Sequence, residues 1–267
     1  MATNHRGIMK FRVLGELAIE TAGDSVTLRN GKTALFMSAL LLRAGRPVNL
    51  DFLIDYLWDR PPESARQNLR SYAYHIRQLM ARLQGRGGCT IETVPGSYLL
   101  DLNASQLDLL KFEELIGLAD RLLADRDLHG AQQELDRALS LWHGRPLEGI
   151  DAGRLVDADI AWLNERYLSA VQRRMDILVS LGRYSEAISE LRLMTARYPL
   201  NEELWAKLML ALHLAGRRAE ALGAYSLARN SLIDIAGIEP GRALRDVQQR
   251  ILTADDAGSS ISNGPIS

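Results

Sequence analysis

The sequence predicts a mainly α-helical protein with small β-sheets, built from two parts. Short alternating segments near the amino terminus indicate strands, whereas apolar residues at helical spacing indicate helices over most of the remaining chain. A repeat of 34 residues in the second half is the third observation, and it is typical of stacked helix pairs. With 267 residues, of which 47% are apolar, the chain is long enough for two domains with cores of their own.

The first part begins with a small sheet. We expect residues 1–9 to form a disordered amino-terminal segment. One half-buried strand, or two short ones, is then predicted by the alternating positions Phe11, Val13, Gly15, Leu17 and Ile19. Gly23 and Asp24 indicate a turn, and a further strand begins at Val26. This sheet therefore precedes the first helix.

Three helices follow the sheet. The first is predicted over residues 31–43 and ends before Pro47. The second begins after Asn49, a favourable N-cap, and ends before Pro61. The third begins after Ser64 and has the clearest apolar stripe of period 3.6, formed by Ala65, Leu69, Tyr72, Ala73, Ile76, Leu79, Met80 and Leu83.

A glycine-rich loop at residues 85–88 ends the third helix, and a hairpin follows it. Its strands are predicted at residues 90–94 and 97–102, joined by Pro95 and Gly96, which fit a type II turn. A sheet, three helices and a terminal hairpin together predict a winged helix-turn-helix DNA-binding domain over residues 10–103.

The second part, residues 104–255, is predicted to be an all-α, tetratricopeptide-like domain. Gly182-Arg183 and Gly216-Arg217 lie 34 residues apart, which is the period of the tetratricopeptide repeat. The template is also matched by Trp205, Leu208, Ala221, Tyr225 and Ala228. Residues 143–156 interrupt the period and are expected to form a long connection, and residues 256–267 a disordered tail.

Charge is distributed unevenly between the two parts. Residues 1–102 carry a formal charge of +4 and the remainder −5, although the whole chain is close to neutral at −1. Six arginines but only one acidic residue lie between Arg60 and Arg86. This asymmetry indicates that the first part binds a polyanion.

The outward face of the third helix is the predicted DNA-reading surface. Its base-reading candidates are Gln67, Arg70, Ser71, Tyr74 and Gln78, a mixture of donors and acceptors suited to base edges in a major groove. Phosphate or wing contacts are expected from Lys32, Arg60, Arg66, His75, Arg77, Arg82, Thr93, Gly96 and Ser97. The alternative is an ordinary solvated helix face, and for Gln67 a capping role with Ser64 explains the residue equally well.

The sequence predicts no catalytic residue, no cofactor and no metal site, so we expect a protein that is not an enzyme. The five histidines show neither metal-ligand spacing nor a triad order. The single cysteine, Cys89, fits a small apolar residue better than a nucleophile. We expect a cytoplasmic protein without membrane contact, because there is no secretory signal and no long apolar segment.

Three stretches of the chain resemble the Streptomyces antibiotic regulatory protein family, and together they extend over residues 10–254. The first two are "FRVLGEL" and "NLDFLIDYLWDRPPESARQNLRSYAYHIRQLMARL". The third, "GRYSEAISELRLMTARYPLNEELWAKLMLALHLAGRRAEALGAYSLARNSL" with "GIEPGRALRDVQQRIL", resembles the bacterial transcriptional activation domain.

The resemblance implies a transcriptional activator of a secondary-metabolite (antibiotic) gene cluster. Such a protein would bind direct repeats in double-stranded promoter DNA as a homodimer and recruit RNA polymerase holoenzyme with its sigma factor. The alternative is a helical-repeat scaffold or small-molecule-responsive regulator whose DNA binding is secondary, because concave helical-repeat surfaces bind peptides and ligands.

Overall fold

The chain divides into two compact units, residues 1–170 and 171–267. The computed structural model describes residues 9–29, 31–84, 89–150 and 153–253. The glycine-rich loop, the expected tail at residues 256–267 and all but the last residue of the expected amino-terminal segment lie outside the described residues. That last residue, Met9, is fully buried and so does not fit the expected disorder, because its apolar side chain is part of the core.

The first unit opens with a three-stranded antiparallel sheet in the order β1-β2-β3, formed by β1 (Lys10–Arg12), β2 (Ala18–Glu20) and β3 (Ser25–Thr27). Phe11 pairs with Ile19, and Ile19 pairs with Val26. The sequence predicted either one strand or two short strands over residues 11–19. The structure has two short strands, β1 and β2, and the chain bends between them at residues 13–17.

A winged helix-turn-helix follows, as predicted. Its elements are α1 (Lys32–Leu41), β4 (Val48–Asn49), α2 (Leu50–Leu57), α3 (Ala65–Gln84), β5 (Ile91–Val94) and β6 (Ser97–Leu100). Asn49 caps α2 through a hydrogen bond from the Phe52 amide to its Oδ1 at 2.7 Å. The short strand β4 was not predicted, and it pairs with β6 in a second sheet of order β4-β6-β5.

The core of this domain lies between α1 and the apolar stripe of α3. Phe36 of α1 is fully buried, and its ring meets that of Tyr98 edge-on at 5.3 Å between centroids. From α3, the buried side chains are those of Ala65, Leu69, Ala73, Ile76 and Met80. Burial of each large side chain stabilises the fold by about 1.5–3 kcal/mol, so the core orients α3 with its polar face outward.

Helices α4 (Asp108–Ala124) and α5 (Leu128–Leu139) also belong to the first unit, together with the first part of α6 (Arg154–Ser180). The amino end of α4 is bound to the N-terminal sheet, because the Asp108 carboxylate accepts hydrogen bonds from the amides of Val13 and Leu14 at 3.0 Å. The compact unit therefore extends past the predicted domain boundary at residues 103/104.

The connection after α5 runs alongside the N-terminal sheet. The amides of His143 and Leu147 donate to the carbonyls of Leu14 and Val13 at 2.8 and 3.1 Å. The amide of Glu148 donates to the carbonyl of Gly15 at 3.0 Å. The predicted long connection is thus ordered here by backbone hydrogen bonds that its sequence does not reveal.

The second unit is helical and repetitive, with α7 (Tyr184–Arg197), α8 (Glu202–Leu214), α9 (Arg218–Ala236) and α10 (Arg242–Thr253) after the last part of α6. The repeat is visible in its turns, since Gly182 and Gly216 have nearly equal φ angles of +72° and +75°. This is the predicted tetratricopeptide-like arrangement. Of the helices in the described parts of the chain, none combines the length and apolar character needed to span a membrane.

Candidate nucleic-acid interface

The polar face of α3 is exposed, as the helical spacing predicts. Gln67, Arg70, Ser71, Tyr74 and Gln78 are all exposed. The ring of Tyr74 is 58% exposed, which is a high value for an aromatic side chain. These five residues therefore form one continuous surface of donors and acceptors, directly after the helix-turn-helix turn.

The start of α3 leaves both roles of Gln67 open. The Asn68 amide donates to the Ser64 carbonyl at 2.9 Å, and the Ser64 hydroxyl accepts from Asn68 Nδ2 at 3.3 Å. The backbone carbonyl of Gln67 accepts a hydrogen bond from the Ser71 hydroxyl at 3.4 Å. Gln67 itself is exposed in the first turn of the helix.

A groove of about 640 Å³ separates α3 from the hairpin, which forms the wing. Six of the predicted contact residues line it: Arg66, Arg70, Arg77, Thr93, Gly96 and Ser97. Three arginines on one wall and a polar turn on the other make this the most cationic concave surface among the described cavities. Such a surface suits a phosphate backbone.

The wing turn is built on Gly96, whose φ of +68° is the left-handed value that position i+2 of a type II turn requires. The Gly96 carbonyl accepts a hydrogen bond from the Leu50 amide at 3.0 Å. Val48 of β4 pairs with Tyr98 of β6. The wing is therefore attached to the start of α2 as well as to its own partner strand.

Arg77 lies in this groove but is engaged within the protein. Its Nε donates to the Ile91 carbonyl at 2.8 Å, and its Nη2 donates to the Thr93 hydroxyl at 2.7 Å. Burial raises the pKa of Tyr98, while the charges of Arg77 and Arg70 lower it, so both guanidinium groups lie near that phenol. The expected phosphate contact by Arg77 therefore competes with two intramolecular hydrogen bonds.

Arg66 is held more loosely than Arg77. It forms an ion pair of 2.8 Å with Asp51 of α2, and both side chains are exposed. His75 and Arg82 are exposed on α3, and Arg60 is exposed in the connection between α2 and α3. Arg60 and Arg82 are accessible to an approaching polyanion. Arg66 is accessible as well, because a surface ion pair such as that with Asp51 contributes only about 0–1 kcal/mol.

Lys32 is placed away from the groove. Its Nζ donates to the Leu57 carbonyl and lies 5.8 Å from the centroid of the Trp58 ring. It lines a different cavity, of about 650 Å³, together with Asp55 and Asp59. The two cavities share no lining residue, so the structure does not group Lys32 with the other candidates.

Four further residues that were not predicted as contacts line the groove: Leu50, Val94, Pro95 and Tyr98. Asp51 was not predicted as the partner of Arg66 either. The alternation of Tyr98 with Leu100 indicated a strand, but only the pairing with β4 places this aromatic residue against the arginines.

Comparison with known proteins adds an independent finding. The family model "Bacterial transcriptional activator domain" matches residues 107–252. The regulatory protein DnrI of Streptomyces peucetius is 35% identical over 253 residues, which cover 92% of this chain and 93% of DnrI. The transcriptional regulator RedD of Streptomyces coelicolor is 32% identical over 94% of this chain and 73% of its own.

Two further comparisons concern longer proteins. The regulatory protein AfsR of Streptomyces coelicolor is 35% identical over 96% of this chain, which spans only 25% of AfsR. The solved structure of Mycobacterium tuberculosis EmbR superimposes with a TM-score of 0.83 at 28% identity, over 95% of this chain and 69% of that one. The agreement in sequence and fold extends over both parts of the chain.

Proposed function

The chain belongs to the Streptomyces antibiotic regulatory protein family of transcriptional regulators, and on that premise we propose that it activates a secondary-metabolite gene cluster by sequence-specific DNA binding. The observation that carries the proposal is the arginine-lined groove between α3 and the wing, beside an exposed polar helix face. No enzymatic activity is part of this function.

In the proposed complex, α3 lies in the major groove. Arg70 presents a planar fork that fits the two acceptors of guanine, and Gln67 and Gln78 present amides that fit adenine. Ser71 and Tyr74 extend the same exposed face. Each bidentate contact contributes about 1–3 kcal/mol of discrimination between bases, so this face sets the operator sequence.

Affinity in the proposed complex comes mainly from phosphate contacts. Arg60, Arg66 and Arg82 are the exposed cations for this role, and His75 adds an exposed hydrogen-bonding side chain on α3. The wing, with Thr93, Gly96 and Ser97, follows the adjacent backbone. Binding should therefore weaken steeply with salt, because each neutralised phosphate releases counterions.

The finer parts of the proposal are binding to direct repeats as a homodimer and recruitment of RNA polymerase holoenzyme with its sigma factor. Exposed apolar side chains on the second unit support a protein partner. Leu193 of α7 and Leu227 of α9 are 73% and 60% exposed and lie 34 residues apart, at equivalent repeat positions. Apolar side chains repeated on the outside of two helices are typical of an interaction surface.

The test is selection of duplexes from a random-sequence library by the purified chain, followed by footprinting on its own neighbouring promoters with and without polymerase. We expect a direct repeat to be selected, and we expect Arg70→Ala to lose about 1–3 kcal/mol of discrimination at one base pair. The control is Arg242→Ala, which removes an exposed charge from α10 of the second unit. Equal binding of selected and random duplexes would contradict the proposal.

A second candidate function, a small-molecule-responsive regulator whose DNA binding is secondary, is favoured by a groove of about 380 Å³ in the second unit. Leu210, Val247 and Ile251 give it an apolar surface, and Lys207 and Arg250 lie beside them. Weak duplex binding without sequence preference, in the same selection, would favour this candidate over the first.

A further inference from the structure

We propose that Arg77 is a positioning residue, which fixes the wing against the recognition helix α3 and does not neutralise a phosphate. The inference rests on the proposed DNA-binding function and deepens it, because it divides the arginines of α3 into two kinds. Arg77 sets the geometry of the site, whereas the exposed Arg66, Arg70 and Arg82 carry the charge that meets DNA.

The Arg77 guanidinium holds the wing through its fork geometry. Two of its nitrogens donate to two different residues of β5, Ile91 and Thr93, at 2.8 and 2.7 Å. A planar group held at two points has its orientation fixed, which a single contact does not achieve. Both acceptors lie on the same strand, so the pair of bonds fixes the distance and angle between α3 and β5.

The guanidinium also lies beside a buried aromatic ring. Its central carbon lies 5.9 Å from the centroid of the Tyr98 ring on β6. Tyr98 is only 3% exposed and packs edge-on against Phe36 of α1. Arg77 thus joins α3 to both strands of the wing, and the wing to the buried core.

The strand that Arg77 holds, β5, is an outer strand in the sheet order β4-β6-β5. An outer strand has only one neighbouring strand, so backbone hydrogen bonds hold it on one side only. The hydrogen bonds from Arg77 reach this strand from α3 and are therefore suited to hold the wing in one position before DNA binds.

Charge and geometry can be separated by substitution at this one position. Arg77→Lys keeps the positive charge but has no fork, and Arg77→Gln removes the charge as well. Thr93→Val keeps the side-chain shape and removes one acceptor without changing any charge. Arg82→Gln is the matched control, because it removes an exposed arginine from the same helix.

The experiment measures affinity against salt concentration for each variant, with a duplex that the unsubstituted chain has selected from a random-sequence library. If Arg77 positions the wing, Arg77→Lys and Arg77→Gln both weaken binding about tenfold at every salt concentration. Their slopes of log affinity against log salt equal that of the unsubstituted chain. Thr93→Val shifts affinity in the same direction, whereas Arg82→Gln lowers the slope by about 0.9. The proposal would be overturned if Arg77→Lys bound the duplex as tightly as the unsubstituted chain does and Arg77→Gln reduced the slope by about 0.9.

Amide hydrogen exchange without DNA provides a readout that does not depend on the proposed function. Faster exchange at residues 93–98 in Arg77→Lys, with unchanged exchange in α1, supports the positioning role even if no duplex is selected. Unchanged exchange at residues 93–98 overturns the role even if the chain binds its operator. A failure of DNA binding and a failure of this inference are thus distinguishable.

Discussion

Lowering the pH from 7 to 5 should stabilise the first unit through Asp108. Burial raises the pKa of this carboxyl group from 3.8 to about 6, although the amides of Leu14, Val13 and Leu109 and the charge of Arg12 act in the opposite direction. The folded chain therefore binds a proton on Asp108 more tightly than the unfolded chain does. Stability is gained as the pH falls through 6 and is lost again as the pH rises through it.

The magnitude follows from the two pKa values. Between pH 7 and pH 5 the folded group changes from mostly ionised to mostly protonated, whereas the unfolded group stays ionised. The difference contributes about 1 kcal/mol to the free energy of unfolding. Asp108→Asn keeps an oxygen that can accept from Val13 and Leu14 but removes the titration, so it is the matched control.

The assay is urea unfolding of the full chain at both pH values, followed by tryptophan fluorescence. Three of the four tryptophans, Trp58, Trp142 and Trp162, lie in the first unit and report on it. The unsubstituted chain should gain about 1 kcal/mol relative to Asp108→Asn when the pH falls from 7 to 5. An equal pH dependence of the two proteins would refute the reasoning.

Three further predictions concern the site and its surroundings. Asp51→Asn releases Arg66 from an exposed ion pair and should tighten DNA binding by up to about fivefold at low salt, with no gain at high salt, in a gel-shift titration. Gly96→Ala places a side chain at a φ of +68° and should destabilise the wing by about 1–2 kcal/mol, which thermal unfolding measures; an unchanged melting temperature would argue against the assigned turn. Because burial raises the pKa of Cys89 to about 11, a thiol reagent such as DTNB should modify it slowly at pH 8 and faster as the pH rises, and rapid modification at pH 7 would contradict this.

Much of the candidate site could be predicted because its signals are local. The apolar stripe of α3 determines which residues face outward, and Gln67, Arg70, Ser71, Tyr74 and Gln78 are exposed as expected. The Pro95-Gly96 pair predicts the wing turn from two neighbouring residues. The partners of the cations could not be predicted, since Arg77 bonds to residues 14 and 16 positions away and Lys32 to a carbonyl 25 positions away.

By itself, the sequence determined the kinds of elements and their order, apart from the short strand β4: a sheet, a helix-turn-helix with its wing, and helix pairs with a period of 34 residues. Helical periodicity, caps and turns depend on residues a few positions apart, so they can be predicted from the sequence. Only the tertiary structure decided which polar groups form hydrogen bonds with distant parts of the chain. Asp108 meets the amide of Val13 across 95 positions, and residues 143–148 bond to residues 13–15. Such contacts arise because buried polar groups must find partners, and packing, not sequence distance, determines which ones are near.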